Sequence, residues 1–407
     1  MKKALFLFPI MLALACAVSV AANPRDMKFR PLKFAPAEPI RFTTPNGMVV
    51  YFLEDHQLPV ITTTAMFKGG TVYDPAGKGG LVDLTTRLLR TGGAGNRTSD
   101  QVDQDLDFVG ASLSSGSDYD YLAASLSALK KDAALGFEIL ADILQRPHFD
   151  VARIAFEISN KKDKIRRQND DPSQLTQRIF YQTIYPNHPY GVFPTLASMD
   201  NIKKDDIIYS YRKFYIPNNC ILAISGDMTV DEVKGLVSQY FGKWPKGDYV
   251  IPIPPEVTMQ YKPGVYYVSR DINQANIRMG HLGLTDKNPD RHAMDLMNFA
   301  LGGGGFTSRL TGQVRTTAGL AYSVSSMVYN RAERGAFFAY CLTKAATMGQ
   351  ATGMMLDIIK KVKDSGITED ELKMAKQSYI NGMVFNYVTP DQIVSAKASL
   401  ELTGFPP

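Results

Sequence analysis

The chain has 407 residues, 45% hydrophobic and 21% charged, with 20 tyrosines and 21 phenylalanines, an ordinary globular composition long enough for two domains with full cores. Its formal net charge is +5, but the basic residues are scattered, and runs such as Lys161-Lys162 and Arg166-Arg167 have aspartates nearby, so the clustered basic face of a nucleic-acid binder is missing. The three cysteines, Cys16, Cys220 and Cys341, are too few for a disulfide framework in a chain of this length, and Cys220 and Cys341 read as buried, inert thiols in strand-like runs.

Residues 1–22 read as a cleaved signal peptide rather than as fold: Lys2-Lys3, an apolar stretch, then the small-residue site Ser19-Val20-Ala21-Ala22 before Asn23-Pro24. Removing both lysines takes the formal charge from +5 to +5 − 2 = +3. Export to a bacterial periplasm is the expectation, with no stable membrane insertion. A lipoprotein anchored through Cys16 or an uncleaved anchor is the alternative.

Beyond the leader the chain reads as one unit written twice, an N-terminal domain at 36–245, a Pro-rich linker at 246–260 and a C-terminal domain at 261–407. In the first half, residues 49–53 and 60–67 pattern as strands, a helix follows from Gly80, and residues 111–129 alternate as two strands about a turn at 114–117. Residues 131–144 carry helical apolar spacing, and a charged helix over 150–167 ends before Pro172. The second half repeats this order: a strand at 275–282, a helix over 290–301, two strands within 321–344, a helix over 349–362 and a charged helix over 368–387 before Pro390. After Pro172 the first half continues for 73 residues to Pro245, including a strand at 221–225, whereas 17 residues follow Pro390. The repeat therefore predicts an α+β fold of two homologous sheet-plus-helices domains in tandem, helices on one face of each sheet, the second domain cut short by roughly fifty residues, one strand among them. A naturally short second half, with an unpaired sheet edge, is the alternative.

The helix from Gly80 has the setting of the inverted zinc motif H-x-x-E-H without its ligands. The two histidine positions read Asp83 and Arg87, and the glutamate position reads Thr86. The five histidines, His56, His148, His188, His281 and His292, include no pair at H-x-x-x-H spacing. A catalytic zinc takes three lone-pair ligands and an open water position, with a carboxylate to activate that water. Thr86 is no base, and Arg87 carries a permanent cation.

Three landmarks resemble the insulinase and pitrilysin family of zinc peptidases, most closely its mitochondrial-processing-peptidase branch. They are the strand at 62–69 leading through 74–80 into the helix, the charged helix ending at Pro172, and the run 302–310 followed by 314–324, in which Arg315 and Tyr322 lie seven positions apart. The resemblance places a third metal ligand at Asp163 or Lys164, and apolar spacing favours Lys164, a second cation. It also implies that two such units close around a peptide, and that this chain is similar to the zinc-free partner. In that reading Arg315 and Tyr322 are substrate-binding donors toward a peptide carbonyl. The chain then binds no cofactor of its own, and zinc sits in a partner subunit bearing H-x-x-E-H.

Asp83 and Arg87 are expected to form an i,i+4 pair, worth about 0.2–0.5 kcal/mol when exposed, that fills the vacated metal site, or else to be plain solvated charges. The four glycines at 302–305 lack the G-K-[ST] of a phosphate loop and read as a substrate gate or as a helix-ending turn. The strand around 111–114, with 119–121, is a candidate edge for peptide β-addition. The rivals to the heterodimer are a catalytically inert peptide-binding or chaperone-like module and a structural subunit.

Overall fold

Alternation of large apolar and small polar residues builds the first sheet. The computed structural model describes residues 34–258 and 261–406, so the leader at 1–22, with Cys16, lies outside the described residues. The strands are β1 (Ile40–Thr43), β2 (Val49–Glu54), β3 (Val60–Lys68), β4 (Ser112–Ser117), β5 (Tyr121–Leu129) and β6 (Cys220–Gly226), in the order β1-β2-β6-β3-β5-β4. Only β2 and β6 run parallel; every other pairing in this sheet is antiparallel. In β3 the period of two turns Ile61, Thr63, Ala65 and Phe67 into the core. β6, Cys-Ile-Leu-Ala-Ile-Ser-Gly, is apolar on both faces and central.

Helices α1 (Leu81–Thr91), α2 (Ser99–Phe108), α3 (Ala133–Gln145), α4 (Val151–Arg167), α5 (Pro172–Ile184), α6 (Leu196–Asn201), α7 (Lys204–Phe214) and α8 (Val230–Phe241) complete this half. Leu88, Phe137, Leu140, Val237 and Phe241 meet Val50, Phe67 and Ile224 in its core. The predicted turn at 114–117 is strand instead: Gly116 lies opposite Ala123, and the chain reverses at 118–120, where the Asp118 N–H donates to the Tyr121 carbonyl at 2.9 Å. A Gly within a serine run mimics turn composition, but a small residue is equally at home in a ladder with an exposed face.

The second half contains β7 (Gln274–Leu282), α9 (Arg291–Asn298) widening into a π-helical turn at 299–303, β8 (Ala321–Tyr329), β9 (Ala336–Lys344), α10 (Met348–Ser365), α11 (Glu369–Met383) and α12 (Pro390–Thr403). Its sheet is antiparallel, in the order β7-β9-β8. The repeat holds to the residue. β3 faces β5 from Val60↔Leu129 to Lys68↔Tyr121, and β7 faces β9 from Gln274↔Lys344 to Leu282↔Ala336. After Leu129 and after Lys344 alike, a three-residue 3-10 turn leads into a helix.

Helices on one face of each sheet is a reading the structure corrects, because the halves exchange a helix. α12, in the second half, lays Val394, Ala398 and Leu402 on Tyr51, Ile221 and Ala223, the outer face of the first sheet. α5, its counterpart after Pro172, lays Tyr181, Ile184 and Tyr185 on Leu282, Ala336 and Phe338 of the second sheet. Arg41 grips Glu401 of α12 with two hydrogen bonds of 2.7 and 2.8 Å, and the Tyr51 hydroxyl donates to the same carboxylate at 2.5 Å. The exchange unites residues Pro36–Pro407 in one compact unit. Cys220 and Cys341 are both buried and free, and burial pushes their thiols up, that of Cys341 to about 11.

At the joint, Arg331 from the β8–β9 turn lies over the rings of Tyr119 and Tyr190, 4.1 and 5.0 Å from their centroids, beside Asp118 and Asp120. The Tyr190 hydroxyl donates to Asp120 at 2.7 Å. Replacing this cation removes two ring contacts and strands a half-buried carboxylate, so R331A is expected to lose about 2–3 kcal/mol in urea unfolding. A loss below about 0.5 kcal/mol, the level of an ordinary surface change, would contradict the clamp.

Candidate functional site

The helix that carries the vacant motif is set by Asp74, whose carboxylate accepts the N–H groups of Gly80 and Val82 at 2.6 and 2.8 Å. These are orphan donors of the first turn of α1. Burial pushes this carboxyl up to about 6. Gly80 has φ of 95°, and a Cβ there would come within 2.8 Å of Met199 and 3.1 Å of Pro194, so the entry to α1 requires glycine.

The two charges of α1 reach across to α4. Lys161 Nζ donates to Asp83 Oδ2 at 2.6 Å, and the Ser117 hydroxyl donates to Asp83 Oδ1 at 3.2 Å. Arg87 Nε donates to Glu157 Oε2 at 2.5 Å, and Glu157 is only 3% exposed. The expected Asp83–Arg87 pair is therefore corrected: each residue has its partner on the neighbouring helix. Glu157 and Lys161 are themselves i,i+4, so two helix faces with matching spacing interlock (minus to plus and plus to minus), and each charge faces an opposite one. Sequence inspection missed Glu157 and Lys161, although their own i,i+4 spacing on the charged helix was the available signal.

Thr86 points the other way. It is buried, donating to the Val82 carbonyl at 2.9 Å with its oxygen 2.7 Å from the Tyr215 hydroxyl. Lys164, Asp163, Asn160 and Arg167 line the same cavity as Asp83 and Arg87, about 560 Å³ in volume, with Ser115 and Gly116 on its far wall. Asp163 is paired on its own helix with Arg166 at 2.5 Å. The cavity also borders β4, the last strand of its sheet. Arg90 Nε donates to the Leu113 carbonyl and the Ser115 hydroxyl to the Thr86 carbonyl, which fastens this edge strand onto α1. Tyr119, read with that edge, instead stacks edge-on with Tyr190 at the joint.

The second cluster lies in the other half. Arg315 sits in a π-helical stretch at Thr311–Thr317, Gly319 turns the chain with φ of 62°, and Tyr322 is the second residue of β8. The guanidinium carbon is 4.7 Å from the Tyr322 ring centroid and 4.7 Å from that of Phe306. Tyr322 is 80% exposed and Phe306 70%, so the cation is held between two rings that face solvent. Phe306 had no role in the sequence reading; its place in the 302–310 run was the only hint. The glycines before it are packing requirements: a Cβ on Gly302 would meet the Ser326 backbone nitrogen at 2.5 Å, one on Gly303 would meet Asn298 at 2.7 Å, and Gly305 has φ of 59°. They end a helix against β8.

Arg309 anchors that loop from behind. It forms two hydrogen bonds to Glu371 of α11, at 2.7 and 2.6 Å, and a third to the Gly366 carbonyl at 3.2 Å. The guanidinium holds the Glu371 carboxyl down to about 2.

Two outcomes follow from this geometry. R87A leaves the Glu157 carboxylate buried without its cation and is expected to cost about 2–3 kcal/mol in chemical denaturation, with much of the loss recovered in R87A/E157A; additive losses would contradict the crossed pairing. The folded Glu371 pKa lies below its unfolded value, so its contribution is present above about pH 4.5 and lost as pH falls toward about 2. E371Q is accordingly expected to flatten the fall in stability across that window, seen in melts at stepped pH, and an unchanged profile would contradict the anchor.

Two family descriptions match the chain: Insulinase (Peptidase family M16) over residues 49–193 and Peptidase M16 inactive domain over residues 201–379. An uncharacterized zinc protease of Mycobacterium leprae is 26% identical over 311 residues, 75% of this chain and 69% of that protein. One from Mycobacterium tuberculosis is 26% identical over 292 residues, 71% of this chain and 66% of its own length, so the chain spans about two thirds of the length of these relatives. Among solved structures, a peptidase M16 inactive domain from Pseudomonas fluorescens superposes with a TM-score of 0.82 at 23% identity, over 91% of this chain and 89% of that one. The periplasmic protease PqqL of Escherichia coli gives 0.77 at 17% identity, over 95% of this chain and 43% of that one. With two tandem domains of the same build and both halves matched, the chain belongs to the insulinase peptidase family, family M16.

Proposed function

We propose that this chain is the zinc-free subunit of an exported M16 peptidase pair, completing the peptide chamber and lending Arg315 and Tyr322 to hydrolysis at a zinc carried by an H-x-x-E-H-bearing partner. The observation that carries this reading is the crossed pairing of Asp83 with Lys161 and of Arg87 with Glu157. A zinc at this place would have one carboxylate already engaged by an ammonium, a guanidinium where an imidazole is needed, and Thr86 hydrogen-bonded into the core. Such a donor set does not fit the ion.

What the chain offers instead is a pair of donors beside a peptide. Arg315 and Tyr322 present N–H and O–H groups from one exposed cluster, with Phe306 stiffening the guanidinium. Aimed at a peptide carbonyl, they orient it and stabilise the negative charge that grows on its oxygen. Export rests on residues 1–22 and on the description of one structural neighbour as a periplasmic protease; no helix among the described residues is long and apolar enough to cross a membrane.

The test is co-expression with an H-x-x-E-H-bearing M16 subunit and a peptide-cleavage assay. R315A and Y322F are each expected to lower kcat on the order of 10²-fold, with melting curves unchanged. Wild-type turnover in both variants would overturn the assignment. An assembled pair that captures peptide and cleaves none would favour the catalytically inert binding module.

A further inference from the structure

Four cations and three carboxylates line the cavity of about 560 Å³ between α1 and α4, and they do not cancel. Asp83 is held by Lys161 and Ser117, and Glu157 by Arg87. Asp163 is answered by Arg166, three residues further along its own helix. Every acid of the lining therefore has its counter-charge. Lys164 and Arg167 are left over: both are exposed, and among the described residues neither forms an ion pair or a side-chain hydrogen bond.

Helical spacing puts these two cations side by side. Asn160, Lys164 and Arg167 follow at steps of four and three, which makes one stripe of α4, and all three line the cavity. Cations are favoured in the last turn of a helix, where carbonyls lack partners, and that preference accounts for Arg166. It does not call for two cations one turn apart on the wall of a common space, because like charges at that spacing repel. An anion between them removes the repulsion. The opposite wall is uncharged, formed by Ser115 and Gly116 of β4. Asp118 donates to the Tyr121 carbonyl, which fixes the alternation of the β4–β5 ladder and turns the N–H and C=O of Ser115 away from β5. Those backbone groups, on the open edge that borders the cavity, suit a polypeptide better than a lone ion.

We propose that this cavity is a carboxylate subsite, in which Lys164 and Arg167 take an acidic side chain or the terminal carboxylate of a peptide. The choice of a peptide rests on the chamber reading given above, to which the subsite adds the charge of the substrate. A carboxylate suits the space better than a phosphate does, since Asp83 and Glu157 share it and repel a doubly charged group more strongly. Arg87 and Lys161, each engaged by an acid, set the walls and leave the two unpaired cations to bind.

The probes are three short Gly-Ser-Ala peptides titrated by calorimetry into the full chain. One carries Glu-Ala-Glu at its centre with both ends blocked, one carries Gln-Ala-Gln with both ends blocked, and one carries Gln-Ala-Gln with a free terminal carboxylate. At least one carboxylate peptide is expected to bind about tenfold or more tightly than the blocked Gln peptide, and which of them does so names the source of the carboxylate. The preference is expected to vanish in K164Q/R167Q with melting curves unchanged, because neither cation has a protein partner. K164E/R167E is expected to exchange it for a preference for Lys-Ala-Lys. Equal affinities in the wild type, or no binding of either carboxylate peptide, would overturn the proposal. So would a preference that survives K164Q/R167Q. The assay involves no cleavage, so this subsite can fail while R315A and Y322F still lower turnover, and it can hold while an assembled pair cleaves nothing.

Discussion

The exchange of helices between the halves is the constraint on which the rest of the structure depends. α5 and α12 each leave their own half after a proline and cover the other half's sheet. A two-faced sheet with helices on one side only would expose Tyr51, Ile221 and Ala223, an apolar surface that water disfavours by about 25 cal/mol per Å². Covering it with a helix from across the joint makes the two halves fold and hold their orientation together. The Arg41–Glu401–Tyr51 group and the Arg331 clamp then act on an interface whose apolar contacts are already in place.

The same economy of pairing governs the cavity between α1 and α4. Glu157 is nearly inaccessible, and a buried carboxylate without a cation is strongly unfavourable, so Arg87 is a structural requirement of Glu157. Asp83, more exposed, is held between Lys161 and Ser117. Where a catalytic member of such a family needs lone pairs converging on one point, this chain has alternating charges that neutralise one another. Arg315, by contrast, has the rings of Phe306 and Tyr322 for neighbours and forms no ion pair among the described residues, which leaves its N–H groups available to a ligand.

Much of the fold was legible because the repeat is strict. The helix from Gly80, the pair of strands before Leu129 and Lys344, and the charged helices that end before Pro172 and Pro390 could all be placed from spacing and end signals, whereas the helices those prolines start, α5 and α12, were not read. The turn at 118–120 was misplaced because a glycine among serines satisfies both turn and edge-strand composition. The helix exchange was not legible, since apolar periodicity states that a helix has a face to bury and is silent on which sheet will bury it. At the candidate site the identities of Asp83, Thr86, Arg87 and Lys164 could be read, but partnership could not. An i,i+4 pair on one helix looks the same in sequence whether it closes on itself or opens toward a neighbour, and only the approach of α4 decides. Phe306 was similarly hidden, because its contact with Arg315 depends on the packed glycines that turn the loop.

The central claim is a division of labour, in which the metal belongs to one subunit and the Arg315–Tyr322 donors to the other. Zinc stoichiometry tests it most directly. The purified chain and its complex with an H-x-x-E-H-bearing subunit, each dialysed against trace zinc at neutral pH, are measured by mass spectrometry of the metal. The account predicts no stoichiometric zinc on the chain alone and one zinc per heterodimer. One zinc per chain in the isolated protein, lost in Asp83→Ala, would contradict it.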